Sequence, residues 1–192
     1  MAGSSTASTS PDQPVFYYDL GSPQCYVVAE TIMATLPVVP EWEPVLGVDL
    51  LDANPAAPDR ELIEELIARL GLQPLRWPEP WPPNTETAML AATYAKRIGR
   101  AVAFSLAAFR QAFAGGRDLA DENTVFIAGA ACEMHPTALR RGIDLAGTKT
   151  ALHAATNRAR QAGVSALPAI QVGNQVFTGT EAPTAAANSF SS

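Results

Sequence analysis

Short apolar runs and helical repeats alternate along this chain in an order that predicts an α/β fold. The run VFYY at residues 15–18 is rich in β-branched and aromatic side chains, which is typical of a strand. A helix is predicted over residues 22–36 and a second strand over 41–47. Over residues 60–70 the apolar side chains recur at helical spacing, which predicts a further helix.

The rest of the chain is predicted to be mostly helical, until two short strands close it. Helices are predicted over residues 85–98 after Asn84 as N-cap, over 102–114, within 118–134, over 136–144 and over 148–162. Strands are predicted within residues 168–173 and 175–179, joined at Gly173-Asn174, a turn that suits a hairpin. The order β-α-β, helical block, α-β-β predicts an α/β domain that is split by a helical insertion.

This order divides the chain into three parts. We expect a disordered N-terminal tail at residues 1–14, an α/β domain built from residues 15–58 and 148–192, and an inserted helical domain at 59–147. The tail is small and polar and lacks the basic start and apolar stretch of a secretory signal. Within the insertion, residues 72–85 hold five prolines and two tryptophans, so this segment is predicted to be extended and stiff.

Composition and charge exclude several classes of function. The chain has 192 residues, of which 47% are hydrophobic, so it can bury a substantial core. Its net charge of −6 and its lack of a Lys/Arg cluster argue against a nucleic-acid partner. No apolar run approaches the ~20 residues that cross a bilayer, so we expect no membrane partner. Two distant cysteines make no disulfide framework, and a cytoplasmic location is expected.

The turn after the first predicted strand has features of a chemical site. Ser22 and Cys25 lie at the two ends of the unit S-P-Q-C, and ligands of open α/β sheets bind at the carboxyl ends of strands. Serine before proline is also an ordinary helix start. Unpaired N–H groups at such a start suit an anion or a thiolate. Helix cap and functional site are therefore both open, and they are compatible.

Four motifs carry a resemblance to the DsbA-like branch of the thioredoxin superfamily. In chain order they are FYYDLGSPQCYVVAE, WPEPWPPNTETAMLAA, FAGGRDLAD and AGVSALPAIQVGNQVFTGTEA. The resemblance covers residues 15–182 and points to the 2-hydroxychromene-2-carboxylate isomerases and the kappa-class glutathione transferases. It implies a thioredoxin-like α/β fold with an inserted helical domain, which agrees with the order of the predicted elements.

The resemblance implies a binding site for glutathione or another low-molecular-weight thiol. Ser22 would donate a hydrogen bond to the thiol sulfur and favour its thiolate. Leu167 and Pro168 match the cis-proline position of the superfamily, where the backbone pairs with the cysteinyl group of the ligand. Thr180 and Glu181 match the turn that binds the γ-glutamyl end, although the same residues also suit an ordinary surface turn.

The loop around Asn54 both matches the family and departs from it. Asn54 resembles an Asn-Pro loop residue that contacts the tripeptide, and an Asx-turn is the alternative. The preceding loop has leucines where the isomerases place a lysine that helps to bind glutathione, and Arg60 is the nearest basic residue. After Glu181 the family adds a C-terminal helix, whereas APTAAANSFSS offers little to dock.

The proline-rich segment is expected to line the pocket of a second, aromatic substrate. Rigid walls of proline and tryptophan suit flat aromatic compounds, and Trp77, Trp81 and Asn84 are the candidate contacts. A packed linker is the alternative. No metal is expected, because Cys132 and His135 supply two ligands where a structural zinc site requires four.

The leading interpretation is a thiol-dependent isomerase or transferase that acts on an aromatic, hydrophobic small molecule. The bound thiol would supply the nucleophile and be regenerated, as in 2-hydroxychromene-2-carboxylate isomerase chemistry. A second interpretation is a DsbA-like oxidoreductase or a monothiol deglutathionylase that uses Cys25, although that residue also suits the core. A third is a non-catalytic ligand-binding member. The oligomeric state stays open, with a homodimer as one option.

Overall fold

A single mixed sheet organises the computed structural model of this chain, which describes residues 13–51 and 57–190. Its strands are β1 (Val15–Tyr18), β2 (Glu41–Pro44), β3 (Ala169–Val172) and β4 (Gln175–Thr178), in the order β2-β1-β3-β4. β2 runs parallel to β1, whereas β3 is antiparallel to both β1 and β4. The predicted α/β class is confirmed. Asn54 and most of the predicted tail lie outside the described residues.

Helices surround the sheet and fill the chain between β2 and β3. They are α1 (Pro23–Thr35), α2 (Gly47–Leu50), α3 (Arg60–Arg69), α4 (Glu86–Arg97), α5 (Ala101–Phe109), α6 (Glu122–Ala131), α7 (Pro136–Asp144), α8 (Ala146–Gln161) and α9 (Ala182–Ser189). A π-helical turn, Arg110–Ala114, follows α5, where the sequence predicts one continuous α-helix. Among the described residues, no helix is long and apolar enough to cross a membrane. The boundaries of the three predicted parts stay a prediction.

Both faces of the sheet are covered because successive side chains of β1 point to opposite sides. Phe16 and Tyr18 are fully buried in the larger apolar cluster, which includes Trp42 of β2 and the inner side of α1. Tyr17 points the other way and packs with Ala155 of α8 in a smaller cluster. A sheet that is buried on both faces leaves its strand ends as the natural place for a ligand.

Two predictions were wrong, one about the start of α4 and one about the C-terminal residues. The N-cap residue of α4 is Thr85 rather than Asn84, whose Oδ1 instead accepts a hydrogen bond from the Glu86 N–H at 3.1 Å. The C-terminal residues, which were expected to dock poorly, form α9, and this helix packs on β3 and α1. Ala182 and Ala186 are buried in that contact, because small side chains let the helix approach closely.

One edge of the sheet collects the segments that the sequence analysis singled out. Tyr18 at the end of β1 pairs with Pro44 at the end of β2. Ala169 at the start of β3 pairs with Tyr17 and with Thr178 at the end of β4. The chain therefore leaves or enters this edge at residues 19–22, at Pro168 and at residues 179–181.

Candidate functional site

Ser22 lies at the start of α1, directly after the end of β1, in a segment that we call the serine turn (residues 19–22). Its backbone is extended, with φ −96° and ψ 118°, and its Oγ accepts a hydrogen bond from the Cys25 N–H at 3.2 Å. Pro23 follows at the first helical position, where its missing N–H costs nothing. Ser22 is therefore the N-cap of α1, and the orientation of its hydroxyl is set by the helix.

The Ser22 hydroxyl also has a proton that it can donate in a hydrogen bond. Ser22 Oγ donates to Gln24 Oε1 at 3.3 Å, which is long for a bond between two oxygens. The Gln24 backbone N–H makes no hydrogen bond to the described part of the chain. A ligand atom that displaces the contact to Gln24 Oε1 can accept from the Ser22 O–H, and the Gln24 N–H is a further donor in the first turn of α1.

Asp19 is a functional candidate that the sequence analysis missed. Its buried carboxylate accepts hydrogen bonds from the Gly21 N–H at 2.8 Å, the Gly47 N–H at 2.8 Å and the Thr85 hydroxyl at 2.9 Å. Burial raises the pKa of Asp19, and the three hydrogen bonds oppose that rise. One acid thus joins the serine turn, the start of α2 and the start of α4. An acid directly after an apolar strand was the signal available in the sequence.

Gly21 brings the proline-rich segment against the serine turn. A Cβ atom at Gly21 would lie 2.7 Å from Thr85 Cγ2 and 3.3 Å from Pro83 Cγ. The serine turn and the end of the proline-rich segment therefore approach each other more closely than a side chain at position 21 would allow. Asn84 lies between these two contact residues, and its side chain is exposed. The structure therefore places Asn84 between two residues that contact the serine turn, with its own side chain exposed.

Trp77 and Trp81 form a perpendicular pair with a cation over it. Their ring centroids are 5.0 Å apart at an interplanar angle of 84°. The guanidinium carbon of Arg60 lies 4.3 Å from the Trp77 ring centroid and 5.8 Å from that of Trp81. Trp77 Nε1 donates to Glu64 Oε1 at 2.7 Å, which fixes that indole. Both rings pack partly on the core, so they present rigid, half-buried apolar surfaces.

The Leu167–Pro168 peptide bond is cis, and it lies at the start of β3 on the same sheet edge. The Pro168 carbonyl accepts a hydrogen bond from the Gly179 N–H at 2.9 Å. This bond ties the proline to the turn at Thr180 and Glu181, which precedes α9. Thr180 is half-buried and Glu181 is exposed. The edge thus brings together Pro168, the 179–181 turn and the serine turn.

Comparison with known proteins agrees with this arrangement. The family model of the DSBA-like thioredoxin domain matches residues 15–190. The chain belongs to that family. The thioredoxin-like fold that the sequence predicts is therefore confirmed. No curated protein sequence matches the chain significantly.

Solved structures of DSBA-like proteins share the fold at low sequence identity. A 2-hydroxychromene-2-carboxylate isomerase superposes with a TM-score of 0.80 at 14% identity, covering 93% of this chain and 94% of that one. A probable DsbA oxidoreductase from Streptomyces coelicolor gives 0.76 at 16% identity, with coverages of 94% and 88%. The cytosolic disulfide reductase DsbM from Pseudomonas aeruginosa, solved with GSH, gives 0.59 at 10% identity, with coverages of 86% and 88%. Isomerase and oxidoreductase thus share this fold, so the site residues must decide the chemistry.

Cys25 has the wrong environment for a nucleophile. Its side chain has 0% exposure, and burial raises the pKa of its thiol from 9.0 to about 12, although a hydrogen bond between the Ser22 and Cys25 side chains opposes that rise. The nucleophilic form of cysteine is the accessible thiolate, which this site disfavours. Cys132 is buried as well, and both cysteines are free thiols. The structure therefore argues against Cys25 as the catalytic sulfur of this DSBA-like protein.

The two histidines have local structural contacts. His135 Nδ1 accepts a hydrogen bond from the Thr137 N–H at 3.2 Å and caps α7. His153 Nδ1 lies 3.7 Å from the Asp49 carboxylate on the exposed side of α8. In residues 13–51 and 57–190, no three His, Cys, Asp or Glu side chains come together as a metal site would require.

Proposed function

We propose that this protein is a thiol-dependent isomerase or transferase for aromatic, hydrophobic electrophiles, with glutathione or another low-molecular-weight thiol as cofactor. The observation that carries the proposal is the contrast within S-P-Q-C. A half-buried hydroxyl occupies the position at the helix start, whereas the sulfur three residues later is buried and protonated. The Ser22 hydroxyl can therefore donate a hydrogen bond to the thiolate of a ligand, whereas the thiol of Cys25 is not accessible as a nucleophile.

The residues of the serine turn fit a thiolate. The bound thiol would supply the nucleophile of the reaction. The Ser22 hydroxyl and the Gln24 N–H both lie in the first turn of a 13-residue helix, where the dipole favours negative charge. Because the Cys25 N–H already holds the Ser22 oxygen, the donor is oriented before a ligand arrives. This arrangement supports Ser22 as the residue that stabilises the thiolate.

The other loops of the sheet edge suit the peptide part of such a thiol. The backbone of Leu167, before the cis bond, can pair with an extended ligand as an added strand would. The exposed Glu181 carboxylate is available to an ammonium group, with Thr180 beside it. The bond between Pro168 and Gly179 holds these two contact regions together. Asn54 stays a prediction from the resemblance.

The tryptophan pair supports an aromatic co-substrate. Trp77 and Trp81 offer two flat surfaces at a fixed angle, and Arg60 places a positive charge over them. Pro83 connects this pair to the serine turn through its contact with Gly21. A flat electrophile that stacks on Trp81 can therefore be presented toward the turn, with Asn84 as a further polar contact.

A calorimetric titration with a panel of thiols tests the proposal. We expect glutathione or a related thiol to bind at submillimolar concentration, S-methylglutathione to bind more weakly at pH 8, and the thiol to be consumed or recycled in the presence of an aromatic electrophile such as 1-chloro-2,4-dinitrobenzene. Absence of thiol binding at millimolar concentration would favour a non-catalytic binding member. Reduction of mixed disulfides, abolished by Cys25→Ala, would favour the oxidoreductase.

A further inference from the structure

We propose that Asp19 and Thr85 form a clamp that sets the position of the serine turn relative to the proline-tryptophan segment (residues 76–85). The proposal rests on the proposed function, because it assigns to this bond the alignment of the bound thiol with the aromatic substrate. Both are positioning residues, and neither is expected to contact the reacting atoms.

The Asp19 carboxylate is the centre of the clamp. It is 7% exposed and accepts from two backbone amides and one hydroxyl. The Gly21 amide belongs to the serine turn, whereas the Thr85 hydroxyl belongs to the end of the proline-tryptophan segment. A buried acid is costly unless its oxygens are satisfied, so the position of each donor is constrained by the others.

Thr85 gives up an ordinary helix contact to make this bond. It is the N-cap residue of α4, yet its side chain makes no capping hydrogen bond. Its hydroxyl donates to Asp19 Oδ1 at 2.9 Å instead, and Asn84 Oδ1 accepts from the Glu86 N–H in its place. The Thr85 hydroxyl bonds to a residue far away in the sequence and does not cap its own helix. This choice indicates that its position is constrained by more than helix formation.

The other end of the proline-tryptophan segment is anchored separately. The Arg76 N–H donates to the Phe113 carbonyl, in the π-helical turn, at 2.7 Å. Between Arg76 and Thr85 the segment forms no helix or strand, and it carries both tryptophans. With its far end held by the helical block, the bond to Asp19 decides how close the segment lies to Ser22. Misplacement of reacting groups by about 1 Å can cost a hundredfold in rate.

Three substitutions separate the hydrogen bond from the packing. Thr85→Val removes the hydroxyl and keeps a methyl group against Gly21. Thr85→Ser keeps the hydroxyl and removes the methyl group. Thr93→Val is the matched control, because Thr93 is also buried in α4, but its hydroxyl donates only within the helix, to the Met89 carbonyl at 2.8 Å.

Turnover of glutathione with 1-chloro-2,4-dinitrobenzene and hydrogen exchange of the backbone amides are measured on all three variants and the wild type. We expect Thr85→Val to lower kcat by about tenfold with little change in the Kd of the thiol, since alignment rather than binding is lost. The Gly21 and Gly47 amides should exchange faster in the same variant. Thr85→Ser should restore both properties, and Thr93→Val should leave both unchanged.

The two proposals fail in different ways. If the wild type neither binds nor uses a thiol, the proposed function is wrong, and hydrogen exchange alone then decides whether the clamp exists. If Thr85→Val keeps the wild-type kcat, or leaves exchange at Gly21 and Gly47 unchanged, the clamp is wrong. The same holds if Thr85→Ser behaves like Thr85→Val, because packing then explains the effect.

Discussion

Ser22 and Cys25 are three positions apart and have opposite environments. The Ser22 hydroxyl is half-buried at the start of α1, with its proton directed to a long contact with Gln24. Cys25 is enclosed by the larger apolar cluster and has no exposed surface. An O–H can donate to a thiolate but cannot form a disulfide, and this contrast is the basis of the proposal that the sulfur comes from a cofactor.

The burial of the Cys25 thiol predicts that it is unreactive in the folded protein and that the stability of the fold depends on pH. Its pKa is raised from 9.0 to about 12 by burial, so the fold favours the protonated form. That contribution to stability is complete below the pKa of the unfolded thiol, near 9, and is lost as the pH rises toward about 12. In a Cys132→Ala background, Cys25 should be unreactive toward a thiol reagent at pH 8 until the protein unfolds.

The stability side of this prediction has its own control. Between pH 8 and 11 the unfolding free energy of the Cys132→Ala protein should fall more steeply than that of the Cys25→Ala, Cys132→Ala double variant. Rapid labelling of the folded protein, or parallel pH profiles for the two proteins, would show that Cys25 is accessible and would reopen the oxidoreductase interpretation.

Asp19 shows where residue-level prediction ends. The sequence places Ser22 at a helix start, because serine before proline after a strand is a local signal. The role of Asp19 depends on Gly47 and Thr85, which lie 28 and 66 positions further along the chain. Whether an acid after a strand is solvated or buried is decided by those distant partners, and no local pattern contains them.

At the scale of elements, α9 differs most from the expectation. Its inner side is made of Ala182, Pro183 and Ala186, which are buried against the sheet and α1. Such small side chains carry little hydrophobic signal in a sequence, and they are also what permits close helix packing. For the proline-tryptophan segment, the composition predicts the irregular conformation. It does not predict the hydrogen bonds at Arg76 and Thr85 that anchor the segment.

Docking of α9 is testable with two alanines in the same helix. Ala186→Glu places a charge in a fully buried position and should lower the free energy of unfolding by about 2 kcal/mol or more. Ala185→Glu lies on the exposed side and should change it by less than about 0.5 kcal/mol. Denaturant unfolding of both variants measures the difference. Equal effects would mean that α9 does not pack as described.

At the scale of the whole molecule, four weak motifs in the right order were enough to predict the fold. Apolar patterning predicts the strand and helix order, and the DSBA-like family match over residues 15–190 confirms the class. The chemistry is less predictable, because isomerases and oxidoreductases share this scaffold. In this chain the two residues that bear on the choice are Ser22 and Cys25, and the environment of each is set by packing.

A single substitution should therefore move the molecule between these chemistries. Ser22→Cys restores a Cys-x-x-Cys unit at the helix start, where a thiol has a lowered pKa. We expect the new thiol to form a disulfide with Cys25 under oxidising conditions and to confer disulfide-reductase activity above that of the wild type. Mass spectrometry after alkylation measures the disulfide. Two free thiols in the oxidised, folded variant would contradict this expectation.

The pKa of a bound thiol is the most direct measure of the role assigned to Ser22. It is obtained by titrating thiolate absorbance near 240 nm with glutathione, or with the thiol that binds best, in wild type, Ser22→Ala and Asp121→Ala. Asp121 caps α6 as Ser22 caps α1, so both variants should lose about 0.5–2 kcal/mol of stability. We expect the wild type and Asp121→Ala to lower the thiol pKa by more than about one unit, and Ser22→Ala to lose most of that shift. An unshifted thiol pKa in the wild type, or an equal shift in Ser22→Ala, would contradict the proposal that Ser22 stabilises a cofactor thiolate.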